Sequence, residues 1–388
     1  MKNRLFTKSL LTIIAILVAS PIFAADGHDH AAHAGDKPFY GHLDIRIHSN
    51  SIIDAEEEDE KFNETYSHSH LELGVQFDNG LSINSNIKLE GEPSGHAHGH
   101  GHGEGEGESE AGGDRFFEDH PLFISELTLN YDGDYFSSYI GKFNPVIGLD
   151  YHIFPGIFGY HIIEEYAIRE RVGFGVAAKH NAGDYGKHKL EVSTFFADTT
   201  PLSNSLIYQR GHTSEKDGGL SNTEDFFSSF AISLSGHDFY SLNNNIVEGL
   251  FYRLGYAKQE AGIGNEDDET RYSVSLGYEQ KITQDINMTL IAEHMDITHF
   301  GGEEAHDRAY STLALRLDYQ KWNLGASYTS IKNEAEEEDE SHDGSILQIS
   351  IGYNFDNGIG LGLGYQSADQ ENEVTDTIGA LLSYSYAF

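Results

Sequence analysis

The chain contains no cysteine, few basic residues and no apolar run long enough to cross a bilayer as a helix. Without cysteine, no disulfide can staple an exported fold. Lys and Arg number 24 against 63 Asp and Glu, a formal net charge of −39. That balance excludes nucleic acid as a natural partner, because a polyanion is bound chiefly through cations. The apolar stretch from Leu10 to Val18 falls far short of the about 20 residues that a spanning helix needs. It follows Lys2, Arg4 and Lys8 and precedes a small-residue cleavage site at Ile22-Phe23-Ala24, the layout of a secretory signal peptide over 1–24. Residues 25–38 then form a histidine-rich segment on the periplasmic side, and 39–388 the folded body.

What is present instead is alternation. In the last 44 residues, Leu347, Ile349, Ile351, Tyr353 and Phe355 share one face of a strand. After the turn Asp356-Asn357-Gly358, Ile359, Leu361, Leu363 and Tyr365 continue it, and Ile378, Ala380, Leu382, Tyr384, Tyr386 and Phe388 repeat it. Gln, Ser, Asn, Gly and Thr lie between them, so one face is apolar and the other wet. The same period recurs from the first strand. Leu43, Ile45 and Ile47 point one way, and His42, Asp44, Arg46 and His48 the other. In the second, Leu71, Leu73, Val75 and Phe77 oppose His68, His70, Glu72 and Gln76; in the third, Leu81, Ile83, Ile87 and Leu89 oppose Asn84, Asn86 and Lys88.

Further strands are expected at 122–131, 135–143, 171–180, 188–197, 226–235, 250–258, 271–280, 286–295, 309–319, 322–330, 345–355, 359–367 and 376–388. The total is about sixteen, an even number that returns both termini to one side of a membrane. Connections alternate between short turns, such as Asp78-Asn79-Gly80 with its Asn-Gly hairpin signal, and long loops. The connection 236–249 is long for its place among the short ones. A soluble sandwich would need a second layer to cover so large an apolar face, and none remains. The fold class is therefore all-β, a transmembrane antiparallel β-barrel of about 16 strands. A plugged receptor would need a globular domain ahead of the barrel; here the first strand starts about fifteen residues after the cleavage site.

In architecture the whole mature chain resembles Gram-negative outer-membrane porins, down to the final Tyr384-Ser385-Tyr386-Ala387-Phe388. That ending is similar to the signal by which the barrel-assembly machinery recognises such proteins for insertion among outer-membrane lipid. The resemblance implies a water-filled pore, passive diffusion of small hydrophilic solutes and frequently a homotrimer. It also implies that the segment Asn144 to Arg171 is a constriction loop folded into the lumen. Its mix of aromatic and aliphatic residues with Gly and Pro suits packing on a barrel wall better than exposure. In this loop Asp150, Glu164 and Glu165 are expected to face Lys142, Arg169 and Arg171 across the narrow point; the alternative is that these charges simply brace the loop.

Histidine is the other abundant signal, 22 residues in all. His96, His98, His100 and His102 alternate with Gly or Ala in the long loop 91–121, ahead of Glu104, Glu106, Glu108 and Glu110. His28, His30 and His33 follow the cleavage site. Imidazole is a borderline ligand suited to Zn²⁺, Cu²⁺ or Ni²⁺, and a Gly-His tract without a fixed second shell would hold such an ion loosely. The competing explanation is low-complexity drift. Between the tracts, His42, His48, His68 and His70 would face the lumen. No spacing marks a nucleophile with a base and an orienting group, so no enzyme is expected; no cofactor is required, and Zn²⁺ or another divalent transition metal would at most bind loosely. The expected function is passive diffusion biased to cations, divalent zinc included. A general or anionic-nutrient pore with incidental histidines, or a metal-buffering or metallophore-binding surface receptor, are the alternatives.

Overall fold

In the computed structural model of the protein, the described residues are 38–56, 60–91, 114–208, 210, 214, 218–225, 227–240, 248–335, 342–370 and 373–388. The expected signal peptide and both histidine tracts, 28–33 and 96–102, lie outside them. Strand β1 (Phe39–Asp54) is followed by β2 (Asn63–Gln76), β3 (Leu81–Glu90), the two-residue β4 (Arg115–Phe116) and β5 (Leu122–Asp132). Next come β6 (Phe136–Phe143), β7 (Arg171–Asn181), β8 (Lys187–Ala197), β9 (Phe230–His237), β10 (Leu250–Gln259) and β11 (Glu269–Lys281). The chain finishes with β12 (Ile286–Thr298), β13 (Asp307–Tyr319), β14 (Trp322–Glu334), β15 (Gly344–Asn354), β16 (Ile359–Gln370) and β17 (Glu373–Ala387).

Each long strand pairs antiparallel with the next, and β1 pairs with both β2 and β17, so the sheet closes on itself. Strand β4 lies outside the ring, paired in parallel with β2. The sixteen long strands thus form a closed meander, so the ring itself has no open edge. One strand begins later than its sequence pattern implies: 226–235 becomes β9 at Phe230–His237, because Thr194, the last β8 residue in this ladder, pairs with Phe230. No helix among the described residues is long and apolar enough to cross a membrane; the strands do that.

The alternation assigns the two faces as expected. Leu361, Leu363, Ile378 and Leu382 stand on the outside of the barrel and are exposed, as lipid-facing residues must be. Phe77, Tyr135, Tyr319, Trp322, Phe355, Tyr386 and Phe388, all exposed, ring the end that carries the short turns and both strand termini. An aromatic girdle there marks the membrane–water interface, and short turns mark the periplasmic side. Inside, the buried residues are mostly polar on β1–β3 and β13–β16, with Asp44, His68, His70, Lys88, Thr312, Thr329, Gln348 and Gln366 among them.

The interior is also occupied by an apolar core, which the period-two rule does not foresee. Ile147, Leu149, Ile153, Phe154, Ile162, Ile163, Tyr166 and Ile168 of the 144–170 connection pack against Ile291, Met295 and Ile297 of β12, Tyr310 of β13 and Ile346 of β15. The connection therefore folds inward and seals an apolar patch on the wall. A side chain at Gly379 would meet the Phe158 ring at 2.5 Å, and one at Gly255 would meet the Ile147 carbonyl oxygen at 2.1 Å. Glycine at these wall positions is what lets the loop lie so close.

Candidate pore constriction

The loop's course is fixed by wall residues that hydrogen-bond its backbone, since an irregular segment inside a barrel must find partners for its peptide groups. Ser273 donates to the Ile147 carbonyl at 2.6 Å, and Arg253 to the Gly148 carbonyl at 2.8 Å. The Leu149 amide donates to Glu293 at 2.7 Å, and the same carboxylate accepts from Ser275 at 2.6 Å and from the Tyr166 hydroxyl at 2.7 Å. Gln348 then holds the Phe158 carbonyl at 3.3 Å. From there the chain reaches β1 and β2, where the Tyr160 hydroxyl meets His48 and His161 meets Tyr66. Helix α1 (His161–Tyr166) turns it back across the lumen, and Arg271 donates to the Tyr166 carbonyl. Burial pushes the Tyr160 and Tyr166 hydroxyls well above the usual phenol range, reinforced by Tyr66 and Glu164 at the first and by Glu293 at the second. Both therefore stay neutral as they anchor the loop.

The charged residues assigned to the narrow point by their sequence do not all meet there. Glu164 and Arg169 do: they pair within the loop at 2.9 Å, and Lys88 of β3 approaches Glu164 at 3.8 Å. Asp150 accepts from the His152 amide at 2.8 Å near the loop tip. Glu165 is instead buried on the packed side, close to Tyr310. Lys142 is 1% exposed, and its ammonium sits between Glu170 at 2.9 Å and Asp198 at 2.8 Å. Arg171 is the first residue of β7 and bonds Gln259 and the Arg169 carbonyl. Lys142 and Arg171 are thus braces at the loop's return, not cations facing Glu164 and Glu165 across open space. Burying a charge is tolerable only with such partners. Burial alone would raise the Glu170 carboxyl, but Arg210 and Lys142 outweigh it and hold it down at about 2.

The opposite flank of the lumen differs. Inward-facing residues of β1, β2 and β3 stack into a wall of histidines and carboxylates. At its periplasmic end His42 lies opposite Glu72, and one step further up Asp44 lies opposite His70 and His70 opposite Lys88. Higher still, His68 Nδ1 is 3.0 Å from Glu90, whose other oxygen is 3.3 Å from Lys88. Asp44 binds Arg46 at 2.8 Å. Glu72 feels three further carboxylates, Glu126, Asp44 and Asp150. His42 and His70 thus look into the lumen as the alternation implies. His48 points inward too, but it is closed off from water, stacked on Tyr66 with 5.1 Å between ring centres and capped by Tyr160. It supports the loop rather than lining a path. Sequence reasoning passed over His152, which the loop tip brings to 5.8 Å from the His70 ring, centre to centre.

A family profile described as Gram-negative porin matches residues 11–388. The chain belongs to the Gram-negative porin family. Its place is accordingly the outer membrane. Among solved structures, this porin is similar to Pseudomonas putida OprB at high pH, with 10% identity, a TM-score of 0.59, and 93% of this chain and 96% of that one covered. It is also similar to Pseudomonas aeruginosa OccK9 (OpdG), at 12% identity and a TM-score of 0.52 over 90% and 98% of the two chains. The outer membrane channel DcaP of Acinetobacter baumannii aligns at 11% identity and a TM-score of 0.51 over 90% and 97%. Identities this low speak to fold alone. Comparison with curated proteins finds none that matches.

Proposed function

We propose that this porin passes small hydrophilic solutes by passive diffusion, without catalysis, and favours cations, divalent transition metals such as zinc among them. The observation that carries this reading is the wall of β1–β3, where Glu72 lies beside His42 and His70 and feels the charges of Glu126, Asp44 and Asp150, while the chain as a whole carries −39. A lumen wall with clustered carboxylates concentrates counter-ions and repels anions. Acidic runs such as Glu56-Glu57-Glu58-Asp59-Glu60 would gather cations at the outer mouth. The tract His96 to His102 would exchange metal weakly there, and His28, His30 and His33 would receive it on the periplasmic side. Weak binding at several places is what conduction requires, since a tight site blocks its own channel.

Planar-bilayer recording of the purified protein tests the reading. A steady conductance whose reversal potential under a KCl gradient favours K⁺ is expected. A reversal potential near zero would favour a general pore, and one favouring Cl⁻ an anionic-nutrient pore. No conductance together with zinc binding would point to a surface metal buffer. For the tract, deletion of residues 95–103 is expected to reduce growth under zinc limitation; unchanged growth and unchanged zinc binding would leave the tract as drift.

A further inference from the structure

We propose that His42, His70 and Glu72 form an exchangeable binding site for a divalent transition-metal ion in the pore wall, with His152 of the loop tip in reach as a further ligand. Its role in transport rests on the channel reading above, but its existence as a metal site does not.

The argument begins with register. His42 on β1 lies directly opposite Glu72 on β2, and His70 stands two residues along the same strand, so all three share the inner face. Their ligand atoms lie within 4.8 Å of one another. His42 Nδ1 is 4.0 Å from one Glu72 oxygen and His70 Nε2 is 3.7 Å from the other. Ligands around a tetrahedral zinc at about 2.1 Å are separated by roughly 3.4 Å. The three groups therefore need to draw together by no more than about 1.4 Å to share an ion. Two imidazoles and one carboxylate are a borderline donor set, which suits Zn²⁺, Cu²⁺ or Ni²⁺ and offers too few oxygens for Ca²⁺ or Mg²⁺.

Two further features separate this cluster from ordinary polar wall. The far nitrogen of His42, Nε2, is 2.8 Å from the Ser385 hydroxyl on β17. When that nitrogen donates to Ser385, Nδ1 is left with its lone pair directed towards Glu72. An outer partner that fixes ring and tautomer is the usual companion of a metal-binding histidine. The second feature is a contrast a few residues higher. His68, Glu90 and Glu164 are gathered just as closely, but Lys88 is 3.3 Å from Glu90 and 3.8 Å from Glu164, and Arg169 is 2.9 Å from Glu164. The protein's own cations already fill that cluster. At the His42 cluster the nearby Arg46 is engaged by Asp44, and Lys88, opposite His70, by Glu90. The loose spacing, with His42 and Glu72 each about a quarter exposed, favours fast exchange over retention.

The test uses the full chain in a background lacking residues 95–103 and carrying H28A, H30A and H33A, so that neither tract contributes. Zn²⁺ titrated into planar bilayers is expected to reduce single-channel current reversibly. H42Q combined with H70Q should weaken that block about tenfold or more, whereas His294→Gln, on the outer face, should leave it unchanged. Mg²⁺ at equal concentration should give no block that depends on these residues. Co²⁺ added to detergent-solubilised protein should produce intense visible absorption of a low-coordinate site, absent from the double variant. Heat-modifiable electrophoretic mobility establishes that each variant is folded. Block and absorption that persist in a folded double variant would overturn the site. If the protein fails to conduct, the channel reading falls, and the Co²⁺ spectrum alone decides the site: its presence and loss on mutation support it, its absence overturns it.

Discussion

The two flanks of the lumen use the same residue types to opposite ends. On the side of β6, β7, β10 and β11, Lys142 lies between Glu170 and Asp198, Arg210 grips Glu170, and Arg271 binds Glu269 at 2.6 Å. Those charges are buried or half-buried and matched, and they hold the ends of the loop. Across the lumen, on β1–β3, His42 and Glu72 keep contact with water, and Glu72 feels the charges of Glu126, Asp44 and Asp150. Charge that is buried against its partners gives rigidity with little outward field, whereas charge in contact with water gives field at the expense of rigidity. Selectivity should therefore reside in the β1–β3 wall and stability in the opposite one.

Substitutions on the braced flank should produce the largest changes, and they should be changes in stability. Lys142→Met leaves the buried Asp198 carboxylate without its cation, at a cost of about 3–5 kcal/mol. A clear drop in the thermal unfolding temperature of the detergent-solubilised barrel is expected. An unchanged midpoint would mean that the two flanks are not distinct in this way.

Acid should act on the same flank, more gradually. Glu170 is held at about 2 in the folded protein against 4.5 for an ordinary glutamate. A depressed carboxyl contributes stability that is fully present above the unfolded value and is lost as pH falls through the folded one. The contribution of this group should therefore fade between about pH 4.5 and 2. Thermal midpoints followed across that window should fall more steeply for the wild type than for Glu170→Gln. Parallel curves would show that the Arg210–Glu170–Lys142 cluster does not stabilise the loop.

Much of this arrangement was legible beforehand, for identifiable reasons. Period-two alternation, the Asn-Gly turns and the aromatic ending at Phe388 led to a sixteen-stranded barrel, and the closed sheet agrees with it. The pairing of His68 with Glu90 could be counted across the turn at Asp78-Asn79-Gly80, because a tight hairpin fixes register. The pairing of His42 with Glu72 could not, since residues 55–62 join β1 to β2 and a connection of that length sets no register. Apolar content marked 144–170 as a loop that packs on the wall, but alternation alone makes every inward position polar. It therefore hid Ile291, Met295 and Ile297 of β12, whose partner is the loop itself. For the same reason strand parity makes His48 a pore-lining group, and position beside the loop makes Lys142 and Arg171 counter-charges to its acids: neither signal gives what later covers a side chain.

The most direct test is the reversal potential of Glu72→Gln set against that of the wild type under the same KCl gradient. The wild type should favour K⁺, and the variant should shift towards zero while its thermal midpoint stays close to that of the wild type. Identical reversal potentials, or a wild type that favours Cl⁻, would contradict the claim that the β1–β3 wall confers selectivity.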